Sequence, residues 1–298
     1  MTKESAGDPG RWGELWRAMR PHQWGKNLIV FLPVVTSHQW SDPALLGRAL
    51  LAAVAFSLCA SAVYLLNDLL DLQVDRCTPG KKDRPFAAGT LPLSWAFLML
   101  PLLAAAAGAA FFLPGNFALI LAGYYGLTFL YSWTLRSVAA LDVLCLALLY
   151  TARLFAGHAA TGIPYSPWLS GFALCLFLSL ALMKRYVEFS GASAAPGRGY
   201  GPSDAPRLRA AGLASGGAAA LVFVFYIYSE QVARLYARPA LLWLVCALLL
   251  FALGRMWSWA RRGRLDEDPV RFVLKDGVSW LCAGLTALVL AAAGAHAP

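Results

Sequence analysis

A long apolar run that ends in three carboxylates is the feature that most limits how this chain can fold. Residues 45–66 are predominantly apolar and long enough to cross a bilayer as one helix. Directly after them come Asn67, Asp68, Asp71 and Asp75. If the helix continues, their spacing of three and four residues places these side chains on one face. The sequence therefore predicts a membrane-spanning helix with a stack of acids at its C-terminal end.

The acidic stack is unfavourable unless a cation compensates it. Like charges repel one another on a helix face, and the negative end of the helix macrodipole adds to the repulsion. A site made only of oxygen ligands favours Mg²⁺ over zinc. We therefore predict that Asp68, Asp71 and Asp75 are catalytic carboxylates that bind Mg²⁺. A solvated helix end with no bound cation is the alternative.

The rest of the chain has the composition of a polytopic membrane protein. Of its 298 residues, 59% are hydrophobic and only 14% are charged, and the mean hydropathy is +0.58. These values lie beyond those of soluble domains. The pattern predicts an all-α protein with nine transmembrane helices. The predicted spans lie near residues 24–40, 44–70, 93–113, 115–133, 138–160, 166–188, 208–228, 239–258 and 276–296.

The first residues are predicted to lie along the membrane rather than across it. Apolar side chains from Trp12 to Met19 recur at helical spacing, with arginines between them. This stretch has no apolar core of the kind found in signal peptides. We therefore expect an interfacial amphipathic segment at 1–23 and a single transmembrane catalytic domain at 24–298.

The distribution of basic residues orients the bundle. With the N-terminus inside, most of the 25 Lys and Arg residues fall in cytoplasmic segments, as the positive-inside rule requires. The net charge of +9 then needs no nucleic-acid partner, and it would attract anionic membrane lipids and phosphates. We predict a multi-pass protein of the inner (plasma) membrane whose acidic motif faces the cytoplasm. None of the six cysteines has the spacing of a disulfide framework or a zinc site.

A basic loop rich in glycine and proline follows the acids. It contains Lys81, Lys82 and Arg84. A pyrophosphate needs both a metal ion and cationic side chains, so we predict that this loop and Asn67 bind substrate. A positive-inside loop would also explain the cations, but it would not explain the adjoining acids.

Two charged residues fall within the fifth predicted span, where a charge usually faces a polar cavity. Asp142 lies about one turn into the membrane, and Arg153 lies roughly 16 Å deeper along the same helix. Arg153 contacts either a lipid-borne phosphate or a carboxylate elsewhere in the chain. Tyr131 lies in the turn before this span. All three are candidate substrate-binding residues.

The end of the sixth predicted span carries Lys184, Arg185 and Glu188. The two cations either satisfy the helix dipole or clamp a substrate phosphate. The loop at 190–203, rich in Gly, Ala, Pro and Ser, is either a lid over the site or a linker. Asp276 opens the ninth span; we predict that it caps this helix, and a site carboxylate is the alternative.

These motifs resemble the UbiA superfamily of intramembrane prenyltransferases. The resemblance rests on the acidic motif at 67–75, on Arg84-Pro85-x-x-x-Gly89 and on the nine spans. It implies a UbiA-like bundle around a central polar cavity at the cytoplasmic side, in which Mg²⁺ activates a diphosphate leaving group. Members that transfer prenyl groups carry a second Asp-rich motif after span six, whereas this chain has Lys-Arg-x-x-Glu at 184–188.

This departure makes the chain more similar to the decaprenyl-phosphate phosphoribosyltransferase branch. The similarity includes Arg-Pro-His-Gln-Trp-x-Lys-Asn at 20–27, the motifs at 67–75 and 184–188, and Asp268-Pro269 before Asp276. The branch implies phosphoribosyl transfer from phosphoribosyl pyrophosphate to a polyprenyl phosphate.

In that reaction the donor pyrophosphate would lie on the acid-bound Mg²⁺, and the lipid phosphate would lie near Lys26, Lys184 or Arg185. Prenyl transfer to an aromatic quinone or haem precursor is the alternative reaction. A cation-binding transporter is a third hypothesis, but the sequence shows no pair of broken helices in related positions.

Overall fold

The computed structural model describes residues 10–78, 80–190, 199–265 and 268–294. The secondary-structure elements of these residues are all α-helices or 3₁₀ helices. Most of the predicted lid or linker at 190–203 lies outside these residues. The α-helices are α1 Arg11–Met19, α2 Leu32–Thr36, α3 Pro43–Leu70, α4 Leu72–Cys77, α5 Met99–Phe111, α6 Phe117–Trp133, α7 Leu141–Thr161, α8 Pro167–Ser190, α9 Ala205–Ile227, α10 Glu230–Leu235, α11 Leu242–Arg261, α12 Pro269–Lys275 and α13 Gly277–Ala293. The predicted all-α class is confirmed.

Within the described residues, six helices are long and apolar enough to cross a membrane. They are Pro43–Leu70, Leu93–Phe111, Leu141–Thr161, Pro167–Ser190, Ala205–Ile227 and Pro239–Arg261. A seventh span results if α12 and α13 are counted together, although the pair is bent by 78°. The chain is a multi-pass membrane protein.

Two of the predicted spans have a different form from the one expected. The first begins as a 3₁₀ helix, Pro21–Phe31, and continues as the short α2, in which Pro33 occupies the first turn. Apolar periodicity does not distinguish this tight helix from an α-helix over so few residues. The fourth is α6, which has 17 residues.

The bundle is built around α3. Asp42 caps its N-terminus by accepting the backbone N–H groups of Ala44 and Leu45, and Pro43 starts its first turn. The helix packs against α5, α7 and the N-terminal 3₁₀ helix, while α8 packs between α7 and α9. In the resulting core, the ring of Phe56 contacts those of Phe117 and Tyr124.

Polar side chains fix the 3₁₀ helix along one face of α3. Trp24 Nε1 donates to Ser61 Oγ at 3.0 Å, and Asn27 Nδ2 donates to Ser57 Oγ at 2.9 Å. On its other side, this segment touches α7 so closely that a Cβ on Gly157 would lie 2.2 Å from the Val30 carbonyl oxygen. A small residue at this crossing lets the two backbones meet.

The N-terminal helix α1 has the amphipathic character predicted for it. Leu15 and Ala18 are buried, whereas Trp12 and Trp16 are 74% and 54% exposed. Large indoles on the outer side of a helix are typical of a membrane interface. The interfacial position of α1 stays a prediction.

Candidate active site

The three acids of the motif lie together where α3 gives way to α4. Asp71 is the residue between the two helices, yet the backbone bonds of a helix continue through it: its N–H donates to the Asn67 carbonyl and its carbonyl accepts the Asp75 N–H, both at 2.8 Å. The expected spacing on one side is therefore retained. Asp68 and Asp75 are buried, and Asn67 and Asp71 are partly buried.

Arginines from three separate segments neutralise these acids. Arg84 Nη1 donates to Asp68 Oδ1 at 3.2 Å and to Asp75 Oδ2 at 2.6 Å. Arg20, at the start of the 3₁₀ helix, also pairs with Asp68. The cation that the acidic stack demands is thus supplied in part by the protein itself.

The third arginine, Arg136, binds Asp71 through two parallel hydrogen bonds of 3.0 Å each. Burial by itself would raise the pKa of Asp71, but the hydrogen bond and charge of Arg136 outweigh it and lower that pKa. The same hydrogen bond raises the pKa of Arg136. Both groups are therefore charged at neutral pH.

The basic loop is anchored so that Arg84 points at the acids. Phe86 is buried among Leu15, Leu65 and Leu91, and Gly89 turns the chain with a φ of 74°. The loop also places Lys81 Nζ 4.0 Å from Asp75 Oδ1. Lys82 is exposed to solvent.

The donor set of the motif suits Mg²⁺, although the described residues contain no preformed group of three or more acid, His or Cys ligands. Instead, the guanidinium groups of Arg20 and Arg84 contact Asp68, and Arg84 also contacts Asp75. Among the described residues, however, the buried Oδ1 of Asp75 has no hydrogen-bond partner, and with Lys81 Nζ 4.0 Å away it retains the capacity to bind a metal ion. A site of aspartate oxygens is of the kind that Mg²⁺ prefers. Mg²⁺ binding by the three acids stays a prediction.

A second polar cluster lies at the ends of α6, α7 and α8. Arg185 is fully buried, and it binds both carboxylate oxygens of Asp142 as well as Glu188. Tyr131 completes the cluster: its hydroxyl donates to Asp142 Oδ1 and accepts from Arg185 Nη2, both at 2.9 Å. With no exposed surface and three polar partners, Arg185 holds these helix ends together.

The predicted residues Lys26 and Arg153 both lie near the aromatic ring of Tyr150. Lys26 Nζ is 5.9 Å and the Arg153 guanidinium carbon 5.4 Å from the ring centre of Tyr150. Lys26 pairs with Asp268, the residue that caps α12. Arg153 donates from Nε to Asn27 Oδ1 at 2.8 Å.

The candidates from the sequence lie in the acidic motif, in the basic loop, around Arg185 and around Tyr150, but three of their partners were missed. Arg20 and Arg136 were not among the candidate site residues, and Asp268 was recognised only as part of a motif. The signal for Arg20 was its place in the 20–27 motif. Asp276, by contrast, caps α13 as predicted and accepts two bonds from Arg255.

Comparison with solved structures supports the expected fold. A UbiA homologue from Archaeoglobus fulgidus, bound to DMAPP and Mg²⁺, aligns with a TM-score of 0.69. The alignment covers 94% of this chain and 98% of the other, with 17% identity. The fold is therefore UbiA-like.

Curated relatives match at higher identity. An uncharacterised protein of Sinorhizobium fredii, y4nM, is 37% identical over 90% of this chain, which spans 54% of that protein. The nodulation protein NoeC of Azorhizobium caulinodans is 32% identical, with 89% of this chain and 88% of NoeC covered. Decaprenyl-phosphate phosphoribosyltransferase of Mycolicibacterium smegmatis is 36% identical over 58% of this chain and 56% of its own length.

The family assignment follows from the greater part of the chain. Residues 28–275, which contain the acidic motif, the basic loop and the cluster around Arg185, match the UbiA prenyltransferase family. The resemblance seen in the motifs is confirmed. This chain is a member of the UbiA prenyltransferase family.

Proposed function

We propose that the protein transfers 5-phosphoribose from phosphoribosyl pyrophosphate to a polyprenyl phosphate. The observation that carries the proposal is the pairing of Arg185 with both Asp142 and Glu188. The sequence at 184–188 offers one carboxylate, Glu188, and the fully buried Arg185 holds it, so this sequence does not supply the second acidic metal site associated with prenyl transfer. The similarity to a decaprenyl-phosphate phosphoribosyltransferase supports the same conclusion.

The donor pyrophosphate binds at the acidic motif. Asp68, Asp71 and Asp75 hold Mg²⁺, which supplies positive charge to the leaving group. Lys81, Lys82 and Arg84 lie in the basic loop that follows these acids. Arg84 neutralises further phosphate oxygens when its guanidinium moves from the acids to the substrate. Arg20 is placed to do the same from the other side of Asp68.

The acceptor supplies its own negative charge. An oxygen of the polyprenyl phosphate attacks C1 of the ribose, forming the new C1–O bond as the bond from C1 to the pyrophosphate oxygen breaks. The ribose passes through an oxocarbenium-like state, and pyrophosphate carries away the bonding electrons. Because the nucleophile is already anionic, no general base is needed, and positioning and charge stabilisation supply the catalysis.

We also propose the membrane arrangement. The segment Pro21–Thr36 is roughly 30 Å long, because 3₁₀ turns rise further per residue, and this length matches the hydrocarbon core. With α6 and the bent pair, it completes nine spans around a polar cavity open to the cytoplasm. The N-terminus is then cytoplasmic, α1 lies on the inner face of the plasma membrane, and residues 24–298 form one catalytic domain.

The test is transfer of a labelled ribose into lipid. Purified protein in detergent receives Mg²⁺, phosphoribosyl pyrophosphate labelled in the ribose, and a polyprenyl phosphate. We expect label in the organic phase. This label should be absent when EDTA is added and when the Asp68→Asn variant replaces the parent. If label stays in the aqueous phase while a prenyl diphosphate is transferred to an aromatic acceptor, the enzyme is a prenyltransferase and the proposal is wrong.

A further inference from the structure

Arg153 carries a buried charge with which no acid among the described residues forms an ion pair. Its side chain is only 6% exposed. Within the part of the chain that the structure describes, its hydrogen bonds go to the Asn27 side-chain oxygen, the Leu149 carbonyl and the Tyr124 hydroxyl, all uncharged. Tyr124 and Tyr150 add cation–π contacts at 4.9 and 5.4 Å. A buried cation usually has an anionic partner, because desolvation costs several kcal/mol.

Lys26 extends this positive region towards the end of the bundle. It contacts the same Tyr150 ring as Arg153 and pairs with Asp268. Lys184 also acts on that carboxylate: burial by itself would raise the pKa of Asp268, but the charges of Lys26 and Lys184 outweigh it and lower that pKa. The carboxylate of Asp268 is thus shared by two lysines, Lys26 and Lys184.

Asp268 is itself placed by a short segment rather than by a long helix. Its side chain caps the seven-residue α12 by accepting hydrogen bonds from the backbone N–H groups of Val270 and Arg271. This segment packs against both α8 and the N-terminal 3₁₀ helix. A small shift of α12 therefore separates Asp268 from Lys26 without disturbing Arg153.

We propose that Lys26 and Arg153 form a binding site for a phosphate monoester, which replaces Asp268 as the anion on Lys26. The site lies beside Tyr150, apart from the acidic motif that receives pyrophosphate. The inference rests on the proposed function, whose two substrates each carry a phosphate monoester. One is the head of the polyprenyl phosphate, and the other is the 5-phosphate of the ribosyl donor.

Equilibrium binding without Mg²⁺ or turnover tests the site. Titration of the full chain in detergent uses farnesyl phosphate, farnesol and ribose 5-phosphate. Asn caps a helix as well as Asp does, so Asp268→Asn removes the charge and keeps α12 capped. We expect this variant to bind farnesyl phosphate about tenfold more tightly, because a nearby negative charge has gone. Farnesol binding should not change.

Matched variants separate the site from general effects of charge or folding. Asp276→Asn removes another capping carboxylate, one paired with Arg255, and should leave farnesyl phosphate binding unchanged. Lys26→Gln should weaken that binding about tenfold for the loss of one close charge. Arg153→Lys keeps the positive charge and should bind, whereas Arg153→Gln should not. Unchanged or weaker binding by Asp268→Asn would overturn the proposal.

Competition identifies which substrate uses the site. If ribose 5-phosphate displaces farnesyl phosphate, the donor occupies the site; if it does not, the site belongs to the lipid. Because the measurement needs no turnover, it is independent of the transfer assay. Absent phosphoribosyl transfer with the expected binding pattern would disprove the proposed function alone. Transfer with equal binding of farnesol and farnesyl phosphate would disprove the site alone.

Discussion

Arg84 binds Asp75 and also reaches Asp68, so one guanidinium links two acids of the motif. Arg84 Nη1 lies 2.6 Å from Asp75 Oδ2, and the same nitrogen lies 3.2 Å from Asp68 Oδ1. One guanidinium thus holds two carboxylates that would otherwise repel each other. A guanidinium in this position can stabilise the acids in the absence of substrate and then bind the negatively charged phosphate oxygens of the substrate.

We expect Arg84→Gln to lower phosphoribosyl transfer at least about 100-fold, because a charged hydrogen-bond donor to the leaving group is lost. Arg84→Lys should recover only part of the activity, since a lysine keeps the charge but lacks the planar guanidinium that binds two phosphate oxygens at once. Turnover of labelled donor measures both effects. Arg48→Gln, an exposed cation near the opposite end of α3, is the control and should stay within about twofold of the parent. Equal losses in the Arg84 and Arg48 variants would contradict this role.

The sequence predicts the acids of the site better than it predicts their partners. Asp68, Asp71 and Asp75 are separated by one or two helical turns, so local geometry alone places them on one side. Their arginine partners are far away in the chain: Arg20 lies 48 residues from Asp68, and Arg136 lies 65 residues from Asp71. Such pairs depend on how helices pack, which periodicity does not encode.

The same distinction applies to the fold. Spans such as α3 and α7 follow from continuous apolar runs, and the cap at Asp276 follows from a local backbone rule. The tight 3₁₀ helix at Pro21–Phe31 does not follow, because its form is stabilised by Trp24 and Asn27 binding serines of α3. Tertiary contacts decide the conformation there.

The buried pair of Arg185 and Asp142 should dominate the stability of the helix ends. Asp142→Asn leaves the arginine without a full counter-charge in a buried position, which we expect to cost about 3–5 kcal/mol. Arg234→Ala breaks an exposed pair with Glu230 and should cost no more than about 1 kcal/mol. Thermal unfolding in detergent compares the two variants. Similar unfolding temperatures would show that Arg185 does not depend on Asp142.

Glycines of α9 allow a test of helix packing. A Cβ on Gly212 would lie 2.2 Å from Trp257 Cζ2, whereas a Cβ on Gly217 would meet nothing within 4 Å. We expect Gly212→Ala to destabilise the protein by about 1–3 kcal/mol, because the indole also donates to Ser179 and resists displacement. Gly217→Ala should be neutral or stabilising by up to about 1 kcal/mol. Unfolding temperatures that fall equally in both variants would contradict the close contact.

The Lys26–Asp268 pair should make stability depend on pH only in acid. Lys26 and Lys184 overcome the effect of burial and hold the pKa of Asp268 below its ordinary value of 3.8. A carboxyl whose pKa is lower in the folded state stabilises that state above the unfolded pKa, and this stabilisation is lost as the pH falls through the folded pKa. Among the described residues, the charged or titratable groups around it are His22, Lys26, Tyr150, Lys184 and Arg271.

We therefore expect the parent to unfold at a higher temperature than Asp268→Asn, by a constant margin from about pH 5 to about pH 7. Below pH 3.8 the margin should shrink, because the parent carboxyl then gains the proton that removes its charge. Asp276→Asn is the control, because it removes the charge of a capping carboxylate that pairs with Arg255 rather than with Lys26. A margin that changes between about pH 5 and about pH 7 would mean that a histidine rather than Asp268 controls this end of the bundle.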